Sequence, residues 1–119
     1  MAEHPRDSAG RYLYRTISKN DPHYSQFSKL GDTGYIKPRG GHNDLTRHVQ
    51  LGETDSIFTS WSKSKNANWQ QWGGKDYIQL RVNSWKMKND ALDVSEWSNF
   101  PWEQEVSIID IVNNVERIR

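Results

Sequence analysis

The sequence predicts an α+β domain dominated by its sheet, and three observations carry that prediction. Four segments show strand-like alternation or β-branched runs: YLYRTI at 12–17, SIFTS at 56–60, YIQLRVN at 77–83 and EVSIIDIV at 105–112. The helical signals between them are short. The 119 residues match the size of one domain with one core.

Taken in order, residues 1–10 are polar and read as a flexible leader, leaving 11–119 as a single domain. After the first strand, Asn20-Asp21-Pro22 signals a turn, and Tyr24, Phe27 and Leu30 outline a short amphipathic turn of helix ending near Gly31. The glycine-rich segment DTGYIKPRGGHNDLTR, 32–47, reads as loop. Following the second strand, Ala67, Trp69 and Trp72, closed by Gly73-Gly74, predict a helix. The third strand leads into residues 84–102, which have no sustained period and read as a long loop of the kind that is often functional. EVSIIDIV is the last expected strand, and NNVERIR finishes the chain.

Sixteen basic residues against fifteen acidic ones leave a formal charge of +1, a weak case for bulk nucleic-acid binding that leaves a local patch open. No cysteine is present, so disulfides, thiolate zinc sites and thiol catalysis are excluded. Apolar runs are far shorter than a membrane span, and MAEHPRDSAGRY holds no apolar stretch that could serve as a secretory signal. A mean hydropathy of −0.98 would fit disorder. Six Trp, five Tyr and three Phe instead argue for a folded chain with a small core.

Several residues could carry chemistry. Glu103 and Glu105, two apart at a strand start, would face one side if the strand begins there, and their repulsion would raise the pKa of one. They could equally be charges on a solvated edge that discourage aggregation. Arg15 interrupts an apolar strand, either as an anchor for a phosphate or carboxylate or as a sheet-edge arginine. His42 in PRGGHND could be a base, a ligand or a loop histidine bonded to its own backbone. Three other histidines, His4, His23 and His48, are scattered without helix-spaced partners, so no metal site is expected. Thr59, Ser60 and Ser62 place hydroxyls at a strand end, where helix capping is their ordinary role. A G-x-S-x-G elbow and a phosphate-cradling glycine loop are both absent. The tryptophans serve core packing or, alternatively, stack on carbohydrate or bases.

The order of these features carries more than any one of them. Tyr14-Arg15, the loop Pro38 to Asp44, Thr59-Ser60-Trp61 with Ala67, and Glu103-Gln104-Glu105-Val106-Ser107 together resemble the ADP-ribosyltransferase toxins of the arginine, serine, glutamate class. Within it the sequence is most similar to the catalytic A chains of cholera toxin and the heat-labile enterotoxins, over roughly residues 12 to 112. It departs from them by an extra glycine in the loop, by T-S-W for S-T-S, and by lacking the extension and cysteines that join those chains to a receptor-binding assembly.

That resemblance implies a split β-sheet core with short helices around an NAD cleft. Arg15, with Tyr14, His42, Thr59 and Ser60, would bind NAD as substrate; Thr59 with Ser60 would orient the catalytic carboxylate. Glu105 would stabilise the oxocarbenium-like transition state as nicotinamide leaves, and Glu103 would orient or deprotonate the acceptor. E-x-E points to arginine on a protein, ahead of RNA, as the acceptor, presented by the loop from Ser84 to Trp102 with Trp97, Phe100 and Trp102 as contacts. It further implies a bacterial toxin domain, secreted or injected without its own signal peptide, acting in the target-cell cytosol and paired with an immunity protein. Competing readings are an NAD glycohydrolase, an aromatic-rich binding module, and a metal-free ribonuclease built on His42, Arg15 and Glu105.

Overall fold

The structure, a computed structural model, describes residues 11–67, 69, 75–96, 98, 99 and 101–119. It is a mostly-sheet α+β fold. Seven strands, β1 (Tyr12–Ser18), β2 (Thr33–Ile36), β3 (Phe58–Ser62), β4 (Tyr77–Asn83), β5 (Ala91–Asp93), β6 (Glu105–Ile109) and β7 (Val112–Arg117), form one sheet in the order β2-β7-β4-β1-β3-β6-β5. Every neighbouring pair is antiparallel. The α-helix α1 (Leu45–Gln50) follows the glycine-rich loop, and single turns of 3-10 helix occupy Tyr24–Gln26 and Pro101–Glu103.

Alternation along the strands sends Leu13, Ile17, Ile78, Leu80 and Val82 into a buried core with Phe27, Ile36, Val112 and Val115. Trp61, Val106 and Ile108 carry the same core under β3 and β6. Each buried aliphatic or aromatic side chain contributes about 1.5–3 kcal/mol of transfer free energy.

Pairing is uneven across the sheet, and this unevenness positions the site. β1 pairs with β4 along its full length, from Tyr12↔Asn83 to Ser18↔Tyr77, and β3 pairs with β6 along all of Phe58–Ser62. Between β1 and β3 only Tyr14↔Ser62 is in register. Two well-paired halves therefore meet at one narrow seam.

Several elements depart from the sequence reading. The predicted loop 32–47 contains β2 and the start of α1. β2 was hidden because it is four residues long with a central Gly34, and it forms only an edge beside β7. The Gln26 amide substitutes for a further strand there, with Nε2 donating to Tyr35 O at 3.1 Å and Oε1 accepting from Tyr35 N at 3.0 Å. α1 is capped by Asp44, whose side chain accepts from Arg47 N.

The second strand runs two residues further than SIFTS, to Ser62. The 84–102 loop contains β5, and EVSIIDIV is two strands joined at Asp110, which turns the chain with φ 70°. The predicted helix through Ala67 and Trp72 lies largely outside the described residues, as does the leader 1–10.

Candidate active site

Arg15 lies on the core face of β1, between Leu13 and Ile17 and opposite Leu80. A charge at that position needs partners, and the seam supplies one: Arg15 Nη1 donates to Ser60 O at 2.7 Å across the gap between the halves. Arg15 Nε is buried and has no partner among the described residues. Burial, with Arg39 acting in the same direction and Asp21 opposing, draws the guanidinium below its ordinary pKa without discharging it.

On β3 the alternation separates the hydroxyls. Ser60 and Ser62 share a face with Ser107 and Glu105 of β6, because Ser60 pairs with Ser107 and Ser62 with Glu105. Thr59 and Trp61 point to the opposite face, with Ile108 and Val106 of β6, and Thr59 contributes to the wall of the larger of the two cavities at the seam. There Thr59 Oγ1 accepts from Trp61 Nε1 at 2.8 Å. The hydroxyl that bonds the carboxylate is consequently that of Ser60, 3.2 Å from Glu105 Oε2, and Thr59 does not take that role. Ser107 Oγ stands 3.5 Å from the same oxygen.

Ser60 ends a buried chain that the sequence reading missed. Ser56 Oγ lies 2.7 Å from His48 Nδ1, and His48 Nε2 lies 2.9 Å from Ser60 Oγ. An ionised Glu105 can only accept, so Ser60 donates to it, His48 Nε2–H donates to Ser60, and Ser56 donates to His48 Nδ1. Burial, with His42 and Arg15 acting in the same direction, lowers the His48 pKa, which favours this neutral tautomer. The Asp44 cap and the Leu45, His48, Val49 spacing of a short amphipathic turn were the signal for an inward-facing histidine.

Glu103 and Glu105 come together by a different route from the expected one. Glu103 closes the 3-10 turn and β6 begins at Glu105, with Gln104 between them at φ 50° in the left-handed region. Ser62 Oγ anchors this turn by donating to Glu103 O at 2.6 Å, and Lys63 N donates to Gln104 O at 3.1 Å. Beside it, Lys63 Nζ and Asp93 Oδ2 form an ion pair at 2.6 Å that ties the end of β3 to β5. Burial raises the pKa of both glutamates; at Glu105 the bonds from Ser60 and Ser107 oppose it and the Glu103 charge adds to it.

Two adjoining cavities share Arg15, Thr54 and Ser60. One, of about 220 Å³, also has Glu103, Glu105, Thr16 and Trp61 in its wall. The other, of about 450 Å³, is lined by Lys37, Arg39, Asp21, His23 and His48 among others. Arg39 Nη1 donates to Thr54 Oγ1 at 3.1 Å. Neither Lys37 nor Arg39 is in an ion pair among the described residues. An acidic lobe thus opens into a basic one at the seam.

Other expected residues fall elsewhere. His42 lines neither lobe: its Nδ1 accepts from Asp44 N at 3.1 Å and its Nε2 donates to Glu53 O at 2.8 Å, so it ties the glycine-rich loop to the segment after α1. The extra glycine of that loop, Gly41, permits φ 121° where Asp55 O presses against the backbone. Tyr14 marks the seam through its pairing with Ser62 and lines neither lobe. Trp102 is exposed next to Glu103, whereas Trp97 and Phe100 lie outside the described residues.

No group of three metal-ligating side chains occurs among the described residues. No described helix is long and apolar enough to cross a membrane. Comparison with protein-family models, with curated proteins and with solved structures finds no match.

Proposed function

We propose that the chain transfers ADP-ribose from NAD to a macromolecular acceptor, releasing nicotinamide, and that the sheet seam is the NAD cleft of a split-sheet ADP-ribosyltransferase fold. The observation that carries this reading is the Ser60 hydroxyl bonded to Glu105 in a cavity that also holds Glu103 and Arg15. The resemblance named Arg15, Thr59 with Ser60, and the Glu103/Glu105 pair, from three segments of the chain, and Arg15, Ser60, Glu103 and Glu105 line one cavity.

The residues fit a dinucleotide. The buried, unpartnered Arg15 Nε and the two cations free of ion pairs suit a pyrophosphate. In the reaction, the bond between the ribose C1′ and the nicotinamide nitrogen breaks, and its electron pair leaves with nicotinamide. Positive charge develops on the ribose, and the Glu105 carboxylate, fixed by Ser60, stabilises it. The acceptor nitrogen then bonds to C1′ and its proton passes to Glu103, whose raised pKa suits a base. His48 fixes the Ser60 hydroxyl and touches no reacting atom. The E-x-E pair favours a protein arginine as acceptor, and the biological setting is a delivered bacterial toxin with a cognate immunity protein. His42, with both ring nitrogens hydrogen-bonded to backbone groups, leaves the ribonuclease reading without its base.

Incubation with biotinylated NAD and a cell lysate, blotted for label, tests the reading. Labelled bands that vanish in Glu105→Ala support it. Nicotinamide release without label assigns water as the acceptor, and no Glu105-dependent consumption of NAD rejects it.

A further inference from the structure

A third cavity, of about 270 Å³, shares no residue with the two lobes; Tyr12, Arg81, Asn83, Lys86, Asn113 and Asn114 are among its walls. Its rim carries an alternating ladder of aromatic rings and cations. The Arg11 guanidinium lies 5.1 Å from the Trp85 ring centroid and 5.6 Å from that of Tyr12, and Arg81 lies 4.6 Å over Tyr12. Arg81 is neutralised by Glu116 at 3.1 Å, whereas Arg11, Lys86 and Lys88 are exposed and in no ion pair among the described residues. Lys86 is in the cavity wall, Arg11 adjoins it through its contact with the Tyr12 ring, and Lys88 follows two residues after Lys86.

The floor of the cavity is built by a bulge. β2 and β7 pair Ile36 with Val112 and Gly34 with Val115, so β7 carries one residue more than its partner over this stretch. As a result Asn113 and Asn114 are both exposed between buried Val112 and Val115, and Asn114 takes φ 58°. Neither side-chain amide has a partner among the described residues. A regular strand would have turned one of them away.

We propose that this cavity and its rim bind single-stranded nucleic acid: a base stacks on the aromatic ladder, its edge is read by Asn113 and Asn114, and the adjoining phosphates lie along Arg11, Lys86 and Lys88. Rings and amides alone would suit a sugar, but the exposed cations call for an anion. An acidic peptide would satisfy the cations and leave the ladder without a flat partner. The site is separate from the seam and does not depend on the NAD reading.

The test is fluorescence anisotropy of a labelled oligouridylate of about 12 nucleotides, titrated with the full chain in the absence of NAD. Binding should weaken between about 50 and 200 mM salt with a log–log slope of about −2, as expected for three phosphate contacts. Trp85→Ala should lose about tenfold or more in affinity. Asn114→Gly, which keeps the left-handed backbone while removing the amide, should lose several-fold. Arg39→Ala, in the seam, should bind as wild type. Absence of binding at low salt, affinity unchanged in both Trp85→Ala and Asn114→Gly, or equal competition by polyglutamate would each overturn the proposal.

Discussion

Ser60 Oγ stands 3.2 Å from Glu105 Oε2 and, through its own strand, Ser60 O accepts from Arg15 at 2.7 Å. One residue therefore ties the carboxylate to the arginine on the far side of the seam. Ser60→Ala should lower turnover of NAD by about 10- to 100-fold, the usual cost of removing a group that orients a reacting one. Thr59→Val should cost about 1 kcal/mol of stability, through the lost partner of Trp61 Nε1, with a far smaller effect on turnover. Steady-state kinetics with urea denaturation of both variants separates the two hydroxyls; equal loss of turnover would return Thr59 to the site.

The buried glutamates make stability depend on pH in a definite direction. Because burial raises the Glu105 pKa, the fold favours the protonated acid. That contribution is complete below the ordinary carboxylate value of about 4 and is lost as pH rises through the higher folded value. Glu105→Gln should accordingly melt above wild type near neutral pH, with the advantage disappearing at about pH 4 and below. His48 acts oppositely. Its lowered pKa means that neutral His48 stabilises the fold above about pH 6.5, and that this is lost as pH falls through the depressed value. Melting curves of Glu105→Gln and His48→Gln across pH check both signs.

Gly41 separates a clash from simple backbone preference. Its φ of 121° and the overlap of any Cβ with Asp55 O predict that Gly41→Ala destabilises the fold by about 2–4 kcal/mol. At Gly40, with φ 81° and open space around it, alanine should cost only about 1–2 kcal/mol. Urea unfolding of the pair measures the difference.

The Lys63–Asp93 pair should support the turn that carries both glutamates. Burial alone would raise the Asp93 pKa, but the bonds from Lys63 and Ser95 overcome it and the net shift is downward. Stability from this group is present above about pH 4 and lost as pH falls through the lowered value. Asp93→Asn should cost about 1–3 kcal/mol at neutral pH and less in acid. A loss independent of pH would show that the pair's charge contributes nothing.

Much of the sheet was legible because β1 and β4 are long, alternating and rich in β-formers. The edge strands β2 and β5, of four and three residues, are too short to show a period, and their existence depends on the partners β7 and β6. Arg15 and Glu105 stood out because charge interrupts or precedes an apolar run. The error at Thr59 was one of face: the resemblance put Thr59 first with Ser60 beside it, and only the pairing of Ser60 with Ser107 on β6 shows which of the two adjacent hydroxyls shares the face of Glu105. Lys37 and Arg39 were hidden inside a segment that reads as glycine-rich loop, and His48 directly after it, where burial is set by tertiary contacts alone.

The central claim is that Glu105 drives departure of nicotinamide from NAD. The most direct measurement is nicotinamide release by the purified chain and by Glu105→Gln, which keeps the shape of the side chain and removes its charge. The account predicts release by the wild type and a loss of about 100-fold or more in the variant, as when a preorganised charge is removed from a transition state. Release that is absent in the wild type, or equal in the two, would contradict it.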